Sequence, residues 1–325
     1  MLKLRLVNRS ARSVLCTATL TLAVILFSHA HAEVVRPVDC YNASLRFAAL
    51  LDVLRAEMGK PVMGRSPLQV QNAAPREVYF QTETTFIKIN RLSFELTREE
   101  FPEPPTPPTE ITPADVLVVI EASQVVLEGI LSYFAIDQPA IDPPGIEDRT
   151  PTDVFNQFAT INRQINQMLD QPFLPSDVYQ RVTLCLNYTT ALRANFPGPR
   201  IPETPPYEPR KKPADVYAEL RQCFVLVREI ATRSGLSTLS VNDPDEQLDA
   251  TIAPGDVYDF SSLLLAELRY LQGKSDASAQ PLESFYPGRK FPSHVHQRAR
   301  LLLTQLTELK GLVDAEPDWL TTGEP

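Results

Sequence analysis

The sequence has few of the residues on which catalytic and metal sites most often depend. Its 325 residues include four histidines, four cysteines, one tryptophan and only 11 glycines. It contains no Gly-x-Ser-x-Gly, no His-Glu-x-x-His, no glycine-rich phosphate loop and no Cys-x-x-Cys pair. We therefore expect no catalytic, cofactor or metal site and no enzymatic activity. Residue counts leave a two-carboxylate mechanism open, but no single pair of acids stands out.

Residues 1–32 have the organisation of a secretory signal peptide. Four basic residues between Lys3 and Arg12 precede an apolar run from Val14 to Phe27, and a small-residue cleavage pattern ends at Ala32. The apolar run is shorter than the ~20 residues that a membrane span needs, although an uncleaved anchor is the alternative. We predict an exported protein, periplasmic or secreted, with no transmembrane span after cleavage.

The charge that remains after cleavage is strongly negative. Removing the four basic residues of the leader from 31 leaves 27 against 40 acids, a net charge of −13. A surplus of this sign disfavours nucleic acid and anionic lipid as partners. The densest basic run, 210–212, is expected to be a solvated loop end.

One short pattern recurs eight times along the chain. In seven of the eight copies an acid follows two residues after a proline, and in all eight an apolar residue follows three residues after it, as in Pro213-Ala214-Asp215-Val216. The prolines stand at positions 37, 75, 113, 151, 175, 213, 254 and 292, so the intervals are 38, 38, 38, 24, 38, 41 and 38 residues. A fixed period of this size indicates an array of supersecondary units. The single short interval predicts two duplicated modules of four units each.

Each unit begins as a helix does. Proline suits the first helical position, and an acid in the first turn faces the positive end of the helix dipole. Apolar residues follow at offsets 3, 7, 10, 14 and 17 from the proline, which is the stripe of a bundle helix. We predict an all-α helical repeat or bundle of eight helices, each about 20–24 residues long.

Proline-rich segments of about 14–17 residues follow most of the helices, for example at 101–108 and 197–206. A polyproline II segment rises about 3.1 Å per residue, enough to return along a helix and start the next one parallel to it. The short connection at 171–174 predicts an antiparallel hairpin of the fourth and fifth helices. Loose connections and mixed helix directions are the alternative. The predicted domains are 1–32, the modules 33–174 and 175–316, and a tail at 317–325.

Three cysteines lie outside the leader, at Cys40, Cys185 and Cys223. Cys185 and Cys223 both stand ten residues after their prolines, which places them at matching heights on consecutive helices. An oxidising compartment would permit a disulfide between them, and burial as small apolar side chains is the alternative.

Polar residues interrupt the apolar stripe of the first module at one level, at Thr85, Ser123 and Asn162. They form a candidate ligand layer.

In the last unit His294 and His296 replace the usual acid and aromatic residue. Residues two apart on a helix face different directions, so this pair is not expected to chelate one ion. The repeated acids are expected to stabilise helix starts, with cation binding as the alternative.

Repeat architectures present extended surfaces that suit binding. The leading hypothesis is a non-enzymatic protein-binding or scaffold component of the bacterial envelope, with an unidentified protein partner. The alternative is a small-molecule or ion-binding helical bundle of the periplasm.

Overall fold

The computed structural model describes residues 34–62, 64–104, 108, 110–139, 148–198, 202–241, 252–275 and 279–320. The predicted signal peptide and the end of the predicted tail lie outside these residues. Within them the protein is an all-α helical bundle of eight helices with one short strand pair, so the predicted fold class is confirmed. The elements are α1 (Pro37–Glu57), β1 (Val70–Gln71), α2 (Pro75–Thr97), α3 (Pro113–Tyr133), α4 (Pro151–Met168), α5 (Pro175–Arg193), α6 (Pro213–Arg233), β2 (Ser240–Val241), α7 (Pro254–Lys274) and α8 (Pro292–Ala315).

Each of the eight described helices starts at the proline of the repeated pattern, and in α1 to α7 the acid two residues later caps the start. Asp215, for example, accepts the backbone N–H of Lys212 at 2.6 Å. This bond pairs a donor that the helix itself cannot satisfy, and it places negative charge at the positive end of the dipole. The acids that do this are Asp39, Glu77, Asp115, Asp153, Asp177, Asp215 and Asp256.

The first four helices form one parallel group. Both α1 and α2 pack against α3 and α4, so the order around the group is α1, α3, α2, α4. Their starting prolines, with the apolar residues three positions later, surround one small space at the same end of the group. The helices α5 to α8 are arranged in the same way, with α5 and α6 each packed against α7 and α8. Parallel packing within each group agrees with the prediction.

The predicted stripe forms the core of each group. In α6 it consists of Val216, Leu220, Cys223, Val227 and Ile230, each at most 2% exposed. Burying one such aliphatic side chain contributes about 1.5–3 kcal/mol. The period of about 3.5 residues is what keeps the stripe on one side over five successive turns.

The connection before α2 returns along a neighbouring helix. Val70 and Ala73, before α2, donate to Asn156 and Thr152 of α4 at 2.9 and 3.0 Å. As residue numbers rise in the segment they fall in the helix, so the segment runs antiparallel to α4. Such a path carries the chain back to the end where the next helix begins.

The two groups run antiparallel to each other and join through α7. This helix packs on α2 and α4 as well as on α5 and α6. Near the start of α7, Asp259 accepts from Asn166 near the end of α4 at 3.1 Å. Val70 also pairs with Val241 in a short antiparallel β-bridge between a connection of each group.

The predicted hairpin of α4 and α5 is wrong in its packing, because α4 lies against α7 across the groups and shares no extended contact with α5. The turn between them is held elsewhere. Glu95 accepts the N–H of Asp170 at 2.8 Å, and the ring of Phe173 stacks on Tyr258 at 4.1 Å between centroids. The turn therefore lies against α2 and α7.

None of the described helices is long and apolar enough to cross a membrane.

The start of the predicted tail packs on the second group. Trp319 is 6% exposed, lies 5.4 Å from the ring of Phe196, and donates its indole N–H to Ser234 at 2.8 Å.

Candidate functional site

The most unusual part of the molecule is the contact of α7 with α2 and α4, which we call the seam. The sequence of α7 is apolar on more than one side, with Leu263, Leu264 and Leu265 in succession. A helix of this kind is buried all round, and α7 indeed touches four other helices. Several ionisable side chains from the three helices are buried with it.

Lys88 of α2 forms the centre of the seam. Its side chain is fully buried and donates to the carboxylate of Asp259 and, at 3.3 Å, to the backbone carbonyl of Asn162. Asn166 donates to the other oxygen of the same carboxylate. Burial lowers the pKa of Lys88 and raises the pKa of Asp259, while the contact between the two opposes both shifts. The cluster joins α7 to α2 and α4 through buried side chains.

A second charged contact lies at the end of the seam where α7 begins. Arg163 of α4 approaches Asp256 at 3.8 Å and donates to the carbonyl of Arg65 at 2.7 Å. Burial raises the pKa of Asp256, and the nearby Arg163 and Lys88 lower it. Beside this contact the start of α7 and the end of α4 enclose a cavity of about 290 Å³.

At the other end of the seam two carboxyl groups are buried together. Glu77 of α2 and Glu267 of α7 are each 1% exposed, and Arg76 lies 2.5 Å from Glu77 and 3.7 Å from Glu267. Burial, followed by the charge of Glu77, raises the pKa of Glu267 well above its ordinary value. Burial also raises the pKa of Glu77, with Arg76 opposing the shift. Two acids and one cation in a dry site favour a state in which one acid keeps its proton.

An open cleft lies directly beside these acids, and we call it the basic cleft. It has a volume of about 500 Å³ and lies between the start of α2, the connection before α3 and the end of α7. Arg76, Arg269 and Lys274 line it together with the rings of Phe80 and Tyr270. The arrangement combines positive charge with apolar surface.

The predicted ligand layer is buried, and its hydroxyl groups are used within their own helices. Thr85 donates to the carbonyl of Gln81 at 3.2 Å, and Ser123 donates to that of Val119 at 2.8 Å. Asn162 donates to Gln81 across the group at 3.2 Å. The backbone carbonyl of Asn162 also accepts a hydrogen bond from Lys88. Of the three residues, Asn162 alone therefore takes part in the seam.

The predicted disulfide between Cys185 and Cys223 is absent, because both are buried free thiols. They belong to α5 and α6, which lie diagonally across their group, and each thiol donates instead to a carbonyl of a third helix. Cys185 contacts the oxygen of Ser261 at 3.7 Å, and Cys223 that of Ala299 at 3.8 Å. Burial raises the pKa of Cys185 to about 12.

The two histidines have separate roles. The Nδ1 of His294 accepts the N–H of Phe291 at 3.1 Å, so this residue replaces the capping acid of the other helices. His296 is buried beside Glu219, with 3.5 Å between Nε2 and the carboxylate oxygen. Burial lowers the pKa of His296. Among the described residues, no group of three or more histidine, cysteine or acidic side chains could hold a metal ion.

Sequence reasoning missed the seam charges because they lie beside the apolar stripe and look like surface residues. Lys88 precedes the stripe residue Ile89, and Asp259 lies two residues after Val257. The sequence of α7 could have revealed these charges. Its apolar residues cover more of the helix surface than one stripe does, which predicts a second buried face. Any charge on that face must find a partner.

Comparison of the chain with protein-family models, with curated proteins and with solved structures finds no match in any of the three.

Proposed function

We propose that the protein is an exported, non-enzymatic binding protein of the bacterial envelope, and that residues 282–291 contact its protein partner. These residues form the connection before α8 and are called the apolar ribbon. Four large side chains on it are exposed: Leu282 by 74%, Phe285 by 79%, Tyr286 by 61% and Phe291 by 53%. This concentration of exposed apolar side chains on one short segment carries the proposal, because apolar patches on soluble proteins commonly mark interaction sites.

The main chain of the apolar ribbon is held firmly on α5. Gln180 donates to the carbonyl of Ser284 at 2.8 Å, Asn187 to that of Leu282 at 2.8 Å, and Ser176 to that of Gly288 at 2.9 Å. The backbone is therefore fixed while the apolar side chains point away from the core. A fixed extended segment loses little conformational entropy on binding, which favours affinity.

The charges beside the exposed rings indicate the chemistry of the partner. Arg289 lies over the ring of Phe291 at 5.6 Å, and Lys290 over that of Tyr179 at 4.9 Å. A protein groove with an apolar floor and an acidic rim complements this pattern. Extended segments are commonly recognised in this way, through pockets for successive side chains.

Two further features support a scaffold. The two helix groups share one packing order, which is consistent with a duplicated module. Export follows from the predicted leader at 1–32.

The test is affinity capture of the tagged full chain, expressed with its own leader, after crosslinking in cells. We expect one envelope protein to be recovered with the wild type and lost when Leu282, Phe285 and Tyr286 are changed to serine. Arg289→Glu should reduce its recovery several-fold. The matched control replaces Val118 and Val125 of α3, which are 46% and 56% exposed, by serine and should leave recovery unchanged. Recovery that survives the changes in the apolar ribbon, or no specific recovery, would contradict the proposal.

A further inference from the structure

The basic cleft is independent of the apolar ribbon and has the properties of a small-molecule site. Its volume of about 500 Å³ lies within the usual range for organic ligands. Its apolar lining comes from Phe80, Ile111 and Tyr270, contributed by three different parts of the chain. A bare inorganic ion would leave most of this space and apolar surface unfilled.

The polar lining of the basic cleft is mainly cationic. Arg76, Arg269 and Lys274 line it against one exposed acid, Glu110. Arg269 has Glu83 at 3.9 Å, a distance that leaves its guanidinium donors available for closer partners.

Arg76 is held in place before any ligand arrives. Its guanidinium lies 3.7 Å over the ring of Tyr270 and donates to Glu77 at 2.5 Å and to the carbonyl of Ser237 at 2.6 Å. The Nε–H of the same group is buried and has no hydrogen-bond partner among the described residues. A fixed cation costs less to organise around a ligand than a mobile one.

We propose that the basic cleft binds a small organic anion with an apolar body, its headgroup held by Arg76, Arg269 and Lys274 and its body against Phe80, Ile111 and Tyr270. Carboxylate and phosphate headgroups share the chemistry that arginine recognises through paired N–H donors. The ligand class is therefore an amphiphilic carboxylate or phosphate.

Gly273 provides a way to block the basic cleft without disturbing the fold. It lies in the wall of the cleft near the end of α7, and a Cβ built on it meets nothing within 4 Å. Gly273→Leu therefore places a side chain into open space and replaces a poor helix former by a good one. Gly311→Leu in α8 is the matched control. A Cβ there also meets nothing within 4 Å, and no residue of α8 lines the basic cleft.

Binding is measured by equilibrium dialysis of the full chain with octanoate, octyl phosphate and octanol. We expect saturable binding of at least one anion, at least tenfold weaker in Gly273→Leu and unchanged in Gly311→Leu. Comparison of the two anions identifies the preferred headgroup. Octanol should bind at least tenfold more weakly than the preferred anion. Equal binding of octanol, no saturable binding of either anion, or equal binding by the Gly273→Leu and Gly311→Leu variants would overturn the proposal.

Removing a positive charge from the basic cleft tests whether the cleft recognises the headgroup of the ligand, apart from the packing of its apolar body. Lys274→Gln should weaken binding several-fold and reduce its dependence on salt, whereas Lys310→Gln on α8 should have no effect. Equal effects of the two lysine changes would mean that overall charge, and not the basic cleft, attracts the anion.

Discussion

Lys88 and Asp259 form an ion pair across the seam, with the lysine side chain 0% and the aspartate side chain 5% exposed. The pair joins α2 of the first helix group to α7 of the second. Because both charges are out of water, each depends on the other and on Asn162 and Asn166 for compensation. Removing one partner of such a pair is costly, while removing both charges costs much less.

The first prediction concerns this pair. Lys88→Met should lower the free energy of unfolding by about 3–5 kcal/mol, because it leaves an unpaired carboxyl group in the seam. The double variant Lys88→Met/Asp259→Asn should recover part of the loss, since asparagine carries no charge and still accepts from Asn166. Urea unfolding measures both. Equal losses in the single and double variants would show that the charge of Asp259 is not what makes the single change costly.

The second prediction concerns pH and Glu267. Its folded-state pKa is raised above the ordinary value of about 4.3, so the folded protein holds this proton more tightly than the unfolded chain. The stability that this contributes is present below about pH 4.3 and is lost as pH rises through the folded-state pKa, by about 1.4 kcal/mol for each pH unit between the two.

Glu267→Gln removes this dependence. The variant should gain stability over the wild type as pH rises from 4 to 8, measured by urea unfolding at each pH. Glu203→Gln, at an exposed position in a connection, is the control for the removal of a carboxyl group that is not buried. A difference for Glu267→Gln that does not grow with pH would contradict the burial of two neighbouring acids.

The third prediction compares two glycines of α7. A Cβ on Gly255 would lie 2.6 Å from the amide nitrogen of Asn166, which is bonded to Asp259. Gly255→Ala should therefore displace Asn166 and destabilise the protein by about 1–3 kcal/mol. Gly273→Ala meets no atom within 4 Å and should stabilise it by about 0.5–1 kcal/mol. Thermal or urea unfolding that places both changes on the same side of the wild type would contradict the close packing of α4 on α7.

The fourth prediction concerns the thiols. Cys185 and Cys223 are free and buried, and the raised pKa of Cys185, about 12, leaves almost no thiolate at pH 8. Iodoacetamide should modify neither residue in the folded protein and both after unfolding, without prior reduction. Because Cys40 is a third buried free thiol, mass spectrometry of proteolytic peptides identifies which thiols are modified. A requirement for reductant before Cys185 and Cys223 react in the unfolded chain would show that a disulfide forms.

The direction and packing of the helices follow from local rules that the sequence states clearly. The proline of each unit marks where α1 to α8 begin, an acid two residues later caps α1 to α7, and the stripe at offsets 3, 7, 10, 14 and 17 determines the buried side. The long proline-rich connections predict parallel groups because only a return path can join them.

The arrangement of the two groups depends on information that a single stripe does not contain. The short turn before Pro175 suggests that α4 and α5 pack together. In the structure α4 packs instead against the second apolar face of α7. Lys88, Asp256 and Glu267 are charged residues whose burial depends on that choice. The basic cleft appears only once the end of α7 lies beside the start of α2, so its residues share no sequence pattern.

The most direct test of the proposed function is photo-crosslinking from the apolar ribbon in living cells. A benzophenone amino acid replaces Tyr286, which is 61% exposed, or Tyr133 at the end of α3, which is 59% exposed. We predict one dominant crosslinked envelope protein from position 286, with an acidic surface at the crosslinked site, and none from position 133. The same products from both positions, or none from position 286, would contradict the account.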